Sequence, residues 1–493
     1  MNDSYSILHI SDLHRSLHDP ISNDELLSSL ILDRERYIKE SPKIPIPEAI
    51  IVSGDFIQGV SLGSANYQAS LKNQYNTALE FLNELTNRFL DGDKSKVVIV
   101  PGNHDIDWNT AFSAMKRLEK SEIPKDFSQQ LLNEHSLFRW DWKEQVAYKI
   151  VDTELYEKRL DEYWNFFEQF YAGVSGLLSV KPKSDANLYK LFDGKIAIAA
   201  YNSCYGNDCF AFHGMIRKEV IARSYLELKD IGSFDLLMAV WHHNIEGPPY
   251  RSDYMDIDVV KSMIGRNFRL GVYGHQHKAQ VAPYQVWLPD QERMAVVSAG
   301  SLCAGRYDLP TGVPRQYNIL EISKDLKSVR VHVREMRISN LFSPGRFHEL
   351  GGNSYTDLNW ENSKNVLGKN VNVEGAKIRE LTESAEFLLM NGSPKETIKI
   401  LLKLNLSQEG YQRQLFLKAA QSASDWPSIL SVIDPPLNIF ELILKVESFN
   451  NIHNYSEAKK MLDTFGDKLG LPKATEDELR KRIEIQIQIT NHG

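Results

Sequence analysis

The sequence predicts an α/β fold with two β-sheets, followed by an all-α region. Within about the first 100 residues, apolar β-branched runs alternate with segments of helical periodicity, as in a parallel sheet with crossover helices. Strand patterns return between residues 195 and 335. From about residue 374 to the end only helical periodicity is found.

The first sheet is predicted from three short apolar runs. They are too short for helices, and their unbroken apolar character is typical of strands buried on both faces. These are Tyr5–Ile10, Ala49–Ser53 and Val97–Val100. Helices are predicted between them at Asp24–Glu40 and Tyr67–Leu90, where apolar residues recur at helical spacing. Polar residues follow each run directly.

After Asp105 this alternation stops. Residues 106–190 are predicted to form a helical insertion, since the segment is rich in aromatic residues and contains no convincing strand. Two interpretations stay open. The insertion buries a small core of its own, or it is a cap over the site that supplies substrate contacts.

The second sheet is predicted from six later runs, of which the last three alternate apolar and polar residues and are expected to be antiparallel. The runs are Lys195–Ser203, Phe234–Trp241, Phe268–Tyr273, Met294–Ser301, Gln316–Ile322 and Val329–Glu335.

The chain is predicted to divide into residues 1–336, a linker at 337–373 that is rich in Asn, Ser and Gly, and a helical region at 374–493. Three similar helical pieces align at Thr397, Ile429 and Ala458, with spacings of 32 and 29 residues. This region resembles tetratricopeptide repeats, whose period is about 34 residues. An irregular helical bundle is the alternative.

Composition limits the classes of function. A chain of 493 residues with 42% apolar and 25% charged residues is expected to be globular, with two or three domains. The net charge of -8 argues against a large non-specific nucleic-acid surface, although not against a local site. Three cysteines are too few for a disulfide scaffold. With no signal peptide or membrane-spanning run, the chain is expected to be cytoplasmic, without membrane association.

Polar side chains that bind metals follow five of the predicted strands. Because the carboxyl ends of parallel strands share one edge of a sheet, we expect these side chains to meet. Carboxylate, imidazole and amide oxygen suit Mn, Fe, Ni, Zn or Co, and the absence of cysteine argues against a structural zinc site. The polar residues at these strand ends are Asp12, His14, Asp55, Asn103, His104, His242, His275 and His277, of which His104 is not counted as a ligand.

The short sequence blocks that carry these residues resemble those of the calcineurin-like metallophosphoesterases. The resemblance covers residues 5 to 336. The matching blocks are Asp12-Leu13-His14, Gly54-Asp55, Gly102-Asn103-His104-Asp105, His242-His243 and Gly274-His275-Gln276-His277. The resemblance implies a four-layer α/β/β/α sandwich. One departure is that Asn244 follows the paired histidines where many relatives have proline. The family pattern still implies that His242, rather than His243, binds metal.

The resemblance also implies two divalent cations, with manganese preferred. Asp12, His14 and His277 would hold one ion. Asn103, His242 and His275 would hold the other, with Asp55 bridging the two. Such a pair of ions can lower the pKa of a bridging water to give a hydroxide nucleophile, and can hold the phosphoryl oxygens.

Two further residues are assigned to catalysis rather than to metal binding. His104 is placed to protonate the leaving group or stabilise its charge, and Asp105 is placed to orient His104. Among residues without a predicted role, His9 is expected to face the core. Arg15 and Arg306 are expected to be solvated, with phosphate contact as the alternative.

The predicted function is hydrolysis of phosphate esters, with phosphodiesters of nucleic acids or cyclic nucleotides preferred. The cyclic-nucleotide phosphodiesterases of the family have blocks similar to Asp12-Leu13-His14 and to the Gly-His-Gln-His ending. The Gly-Asn-His-Asp block is similar to that of the nuclease subunit of double-strand-break repair complexes. The alternatives are a phosphoprotein phosphatase, a small-molecule phosphomonoesterase, or a scaffold. The helical region is expected to bind a protein partner or a second copy of the chain.

Overall fold

The computed structural model describes residues 4–16, 21–131, 133, 135–245, 253–285, 293–305, 308–310, 313–336, 340–347, 353–360, 381–382, 384–389, 391–407 and 410–492. The chain forms two compact units, Met1–Asn362 and Ser363–Gly493. The boundary between them lies within the range predicted as a linker.

The first unit contains sixteen strands among its described residues. They are β1 (Ser4–Ile10), β2 (Ala49–Val52), β3 (Val97–Ile99), β4 (Met115–Arg117), β5 (Phe138–Asp141), β6 (Val146–Ile150), β7 (Ala186–Leu191), β8 (Ile196–Tyr201), β9 (Leu236–Val240), β10 (Phe268–Tyr273), β11 (Gln280–Gln285), β12 (Arg293–Ser298), β13 (Gln316–Ser323), β14 (Ser328–Met336), β15 (Phe342–Pro344) and β16 (Tyr355–Asn359).

The helices of this unit flank the sheets and build the insertion. They are α1 (Asn23–Arg34), α2 (Tyr67–Leu90), α3 (Trp108–Ser113), α4 (Phe127–Leu131), α5 (Thr153–Glu157), α6 (Asp161–Tyr171), α7 (Lys218–Ile231) and α8 (Ile257–Ile264). The prediction for α2 is confirmed, whereas α1 ends earlier than predicted, at Arg34.

The first sheet has the strand order β15-β14-β13-β1-β2-β3, with β16 also paired to β14. Strands β1, β2 and β3 run parallel, so their carboxyl ends lie at one edge. The second sheet has the order β11-β12-β10-β9-β8-β7. Its strands β8, β9, β10 and β12 are parallel, which brings a second row of carboxyl ends together.

The two sheets pack face to face, with helices on both outer faces. In β8, Ile196 and Ile198 belong to the core shared with the first sheet, while Ala197 and Ala199 belong to the core beneath α7 and α8. Helices α1 and α2 cover the other face of the first sheet. This arrangement confirms the four-layer α/β/β/α sandwich.

The prediction that the last three strands form an antiparallel part of the second sheet is wrong for two of the three strands. Strand β12 does join that sheet, where it is antiparallel to β11 and parallel to β10. Strands β13 and β14 join the first sheet instead, where β13 pairs antiparallel with β1 and β14 pairs antiparallel with β13. Alternation along a strand reports which face is buried and carries no information about which strand pairs with it.

Part of the predicted linker is also β-structure, because β15 and β16 pair with β14. The low periodic signal of this segment reflects its short strands. With three and five residues, they are too short for a pattern to stand out.

The expectation of an insertion without strands is wrong, since β4, β6 and β5 form a small antiparallel sheet. Its aromatic residues do not share one core. Tyr163 and Phe166 of α6 are buried in the main core, with Phe166 4.8 Å from the Phe56 ring. Trp142, by contrast, is 77% exposed.

The second unit is helical in the residues described. Its helices are α9 (Pro394–Leu401), α10 (Tyr411–Ser422), α11 (Trp426–Val432), α12 (Ile439–Asn451), α13 (Tyr455–Leu469) and α14 (Lys473–His492). Consecutive helices pack against each other. The aligned positions Thr397, Ile429 and Ala458 are each fully buried, at the fourth residue of α9, α11 and α13. Membership of a tetratricopeptide class stays a prediction.

Among the described residues, every helix is either too short or too polar to span a lipid bilayer.

Candidate metal centre

Two loops at the ends of β1 and β2 carry the first three predicted ligands. Asp12, His14 and Asp55 have φ angles of 53°, 46° and 55°, a region that non-glycine residues occupy at a cost. The loops are held together by hydrogen bonds from Asp12 N to Gly54 O (3.1 Å) and from His14 N to Asp55 O (3.0 Å). Gly54 has a φ of 98°, and a Cβ there would lie 2.5 Å from Nδ1 of His242.

Asp12, His14, Asp55 and His277 form one cluster, in which one potential ligand atom from each lies within 4.8 Å of the others. His14 Nε2 is 3.0 Å from His277 Nε2, and His277 Nε2 is 3.3 Å from Asp12 Oδ1. Both carboxylates are 3.8 Å from His14 Nε2. These donors therefore face a common point.

A second cluster lies directly beside the first. Asn103 Oδ1 is 2.9 Å from His242 Nε2 and 2.9 Å from His275 Nδ1. Oδ2 of Asp55 is 3.1 Å from His242 Nε2, so this carboxylate contacts both clusters. The structure thus brings together all seven residues that the sequence analysis assigned to metal binding.

Two of the histidines are oriented so that the ring nitrogen facing the clusters, here called the inner nitrogen, can bind a cation. His242 Nδ1 is 2.7 Å from the Ser53 carbonyl, and His277 Nδ1 is 2.7 Å from the Asp308 carbonyl. A carbonyl only accepts, so we assign the ring proton to Nδ1 and the lone pair to Nε2 in each. Such outer contacts are typical of metal-binding histidines. Together with the carboxylate and amide donors, they make this set suitable for a divalent cation.

The electrostatics of Asp12 and His14 agree with cation binding, whereas His242 has to release a proton when a cation binds. Burial disfavours the charged form of Asp12, but His277 and His14 hold the pKa of its carboxyl well below the usual range. Burial and the neighbouring His104 lower the pKa of His14 to about 4. Burial also opposes a charge on His242, yet the Asp55 carboxylate raises the pKa of His242 to about 9. Asp12 is thus ionised and His14 neutral at neutral pH, the forms that bind metal.

Residues 5–279 match the sequence model of the calcineurin-like phosphoesterases. The chain belongs to this family. It is therefore a metal-dependent phosphoesterase, and its substrates are phosphate esters.

Solved structures with a similar fold include PhoD, at 8% identity and a TM-score of 0.42, covering 73% of this chain and 70% of that one. GAP50, described as the anchor in the inner membrane complex of Plasmodium, aligns at 12% identity and a TM-score of 0.34, covering 74% and 91%. The calcineurin-like phosphoesterase YfkN from Bacillus subtilis aligns at 12% identity and a TM-score of 0.32, covering 78% and 98%. A search of curated proteins gave no match.

His104 lies at the edge of this phosphoesterase centre, outside the two clusters. Its backbone N–H donates to Asp55 Oδ1 at 2.8 Å, and its Nδ1 is 2.8 Å from the Gln58 carbonyl. Its ring centroid is 4.5 Å from that of His14, edge to face. The ring is therefore fixed beside the candidate ligands.

The prediction that Asp105 orients His104 is wrong. The Asp105 carboxylate accepts hydrogen bonds from the backbone N–H groups of Gly102 (2.8 Å), Asp55 (3.0 Å) and Phe56 (3.1 Å). Burial and the nearby Asp55 carboxylate raise the pKa of Asp105 to about 8. Asp105 thus fastens two loops of the phosphoesterase site together, while a backbone carbonyl orients His104.

Four other predictions concern His9, Arg15, Arg306 and His243. His9 is fully buried, with Nε2 3.0 Å from Ser53 Oγ, as expected of a core residue. Arg15 is buried rather than solvated, and its guanidinium contacts Cys303 Sγ at 2.9 Å. Arg306 lies outside the described residues. Nδ1 of His243 is 2.8 Å from Ser203 Oγ, so this nitrogen is engaged away from the clusters.

The groups that orient the histidines were not predicted from the sequence; they are the carbonyls of Ser53, Gln58 and Asp308. Every residue has a backbone carbonyl, so no residue type marks one that binds a histidine. Only the positions of the loops could identify them.

Proposed function

We propose that the seven clustered residues hold two divalent cations, as the family resemblance implies. Asp12, His14 and His277 bind one ion. Asn103, His242 and His275 bind the other, and Asp55 bridges them. The observation that carries this proposal is the position of Asp55, whose Oδ2 faces a histidine of each set at 3.8 and 3.1 Å.

We propose manganese as the preferred ion, with Fe, Ni, Zn and Co as alternatives. Imidazole nitrogen together with carboxylate and amide oxygen favours these borderline cations, and the described ligand set contains no thiolate. When bound, two such ions lower the pKa of a water and neutralise charge on the phosphoryl oxygens.

His104 is proposed to act as the general acid. Its Nδ1 is engaged by the Gln58 carbonyl, which leaves Nε2 to exchange a proton with the leaving oxygen. The same hydrogen bond fixes the plane of the ring. The hydrogen bond from the His104 backbone N–H to Asp55 Oδ1 holds His104 beside the bridging carboxylate.

The proposed substrates are phosphodiesters, either in a nucleic acid or in a cyclic nucleotide. The sequence blocks support this class, because they are similar to those of cyclic-nucleotide phosphodiesterases and of nuclease subunits. The net charge of -8 favours a small or single-site substrate over a long nucleic-acid track.

The helical unit is proposed to bind a protein partner or a second copy of the chain, because stacked helix pairs offer extended surfaces for this. The three cysteines are buried and no disulfide joins them in the described residues, which agrees with a reducing compartment, so we place the protein in the cytoplasm.

The test is a substrate panel with the purified full-length protein and manganese. The panel contains bis-nitrophenyl phosphate, nitrophenyl phosphate, cyclic nucleotides, single- and double-stranded DNA, and a phosphopeptide. Hydrolysis of the diester in preference to the monoester is the expected result. Preference for nitrophenyl phosphate or the phosphopeptide would replace the diester proposal with a phosphatase. No hydrolysis at all, with metal bound, would favour a scaffold.

A further inference from the structure

The outer nitrogen of His275 faces a different chemical group from those of the other candidate ligands. Nε2 of His275 lies 3.6 Å from Oδ2 of Asp253, a distance longer than a hydrogen bond. His242 and His277 instead face neutral backbone carbonyls. Nδ1 of His14 is buried without a hydrogen-bond partner among the described residues. The Asp253 carboxylate therefore lies next to the His275 ring nitrogen that faces away from the second cluster.

The segment that carries Asp253 is held in position by a backbone hydrogen bond, a buried side chain and a helix cap. Met255 N donates to Asn244 O at 2.7 Å, which ties the segment carrying Asp253 to the end of β9, two residues after His242. Met255 is fully buried in the core beneath α7 and α8. Asp256 then caps α8 by accepting from Asp258 N. These contacts hold the backbone that carries Asp253 beside His275.

The surroundings of the pair strengthen their interaction. The His275 side chain is 9% exposed and the Asp253 side chain is 25% exposed, so water screens the carboxylate only in part. His275 Nδ1, on the opposite side of the ring, faces Asn103 Oδ1 at 2.9 Å. Asp253, the imidazole and the second cluster consequently lie in sequence, as in a carboxylate–histidine–metal arrangement.

We propose that Asp253 is a positioning residue for the second metal site, which it tightens by orienting His275 and increasing the basicity of its inner nitrogen. This inference rests on the proposed two-metal function. It predicts unequal sites, with the cation on Asn103, His242 and His275 the one that depends on Asp253. Nothing in the motif pattern assigns a role to this residue.

The test is metal titration of the chelator-stripped full-length protein with Mn²⁺ alone, followed by calorimetry. The wild-type protein is expected to bind two ions. In Asp253→Asn, one of the two affinities should fall by about 10- to 100-fold, with the other unchanged, as for outer carboxylates of other metal-binding histidines. Asp253→Glu should recover part of the loss. Co²⁺ titration should show a changed absorption spectrum for one ion of two.

Asp258→Asn is the matched control, because Asp258 lies in the same segment and contacts Lys261 instead of the site. It should bind both ions as the wild type does. Circular dichroism and thermal unfolding of the stripped proteins check that the variants fold alike. Two wild-type affinities in Asp253→Asn, or an equal fall in both, would overturn the inference. Failure of the wild type to bind two ions would instead overturn the proposed function beneath it.

Discussion

At the scale of single residues, His104 and Asp105 are neighbours in sequence with separate tasks. The His104 ring is oriented by the Gln58 carbonyl and faces His14 at the rim. The Asp105 carboxylate is buried and binds backbone N–H groups of two loops. Substituting the first should therefore change chemistry, and substituting the second should change stability.

His104→Ala is expected to reduce kcat by about 10²- to 10⁴-fold while both metal ions stay bound, because the variant loses a proton donor and no ligand. The loss should be larger for an alkyl phosphodiester than for a nitrophenyl diester, whose leaving group needs no proton. Rates and metal content by mass spectrometry check this. His453→Ala, an exposed histidine in the other unit, is the control. Equal losses on both substrates would contradict an acid role.

Asp105→Ala is expected to lower the free energy of unfolding by roughly 3 to 5 kcal/mol, because three buried N–H groups lose their acceptor. Urea unfolding measures the change. Asp107→Ala, which removes the side-chain cap of α3 two residues later, should cost only about 1 kcal/mol. If the two variants were equally stable, Asp105 would not be the fastening group that its contacts indicate.

At the scale of elements, the insertion is joined to the loop after β8 by buried charges. Arg139 of β5 donates to Asp208 through Nε, and the Tyr156 hydroxyl donates to the same carboxylate oxygen at 2.7 Å. Arg159 donates to the backbone carbonyl of Tyr205 at 2.6 Å. In the same loop, Ser203 Oγ accepts a hydrogen bond from His242 N at 3.2 Å. The insertion is thereby connected to the segment that carries a candidate ligand.

Asp208→Asn is expected to cost roughly 3 kcal/mol of stability, since it leaves the buried Arg139 charge without its partner. Hydrogen exchange should become faster in β5 and β6, with metal affinity retained. Asp185→Asn is the control. Asp185 also pairs with an arginine, Arg217, at 2.6 Å, but this pair is more exposed and should cost about 1 kcal/mol or less. Unchanged exchange in the insertion would show that the ion pair does not secure it.

At the scale of the whole molecule, each unit has hydrophobic cores of its own. The described residues of the shared inter-sheet core end at Trp360, and the cores of the helical unit begin at Ala385. All seven candidate ligands lie in Met1–Asn362. Metal binding should therefore stabilise this unit directly.

Calorimetric unfolding of the full-length protein is expected to show two transitions, of which manganese raises only one. At a free ion concentration of 100 times Kd, one site contributes about 2.7 kcal/mol, and chelation removes it. Glu441→Gln breaks a buried pair with Arg413 in the helical unit and should lower the other transition alone. Movement of both transitions with metal would contradict this assignment.

Much of the site could be predicted from the sequence because strand ends and their polar neighbours are local features. Asp12, His14, Asp55 and Asn103 each follow a buried run, and parallel pairing of β1, β2 and β3 was enough to bring them together. His242, His275 and His277 follow strands of the second sheet in the same way. Asp253 was not predicted, because it follows no strand and matches no block.

The sequence by itself determined which residue types reach the strand ends, because burial, periodicity and turn residues act over a few positions. Only the tertiary structure decided that β13 and β14 join the first sheet, that the insertion has strands, and that Asp105 binds backbone while Gln58 orients His104. Those outcomes depend on contacts between distant segments and on backbone groups common to all residues, and neither leaves a local pattern in the chain.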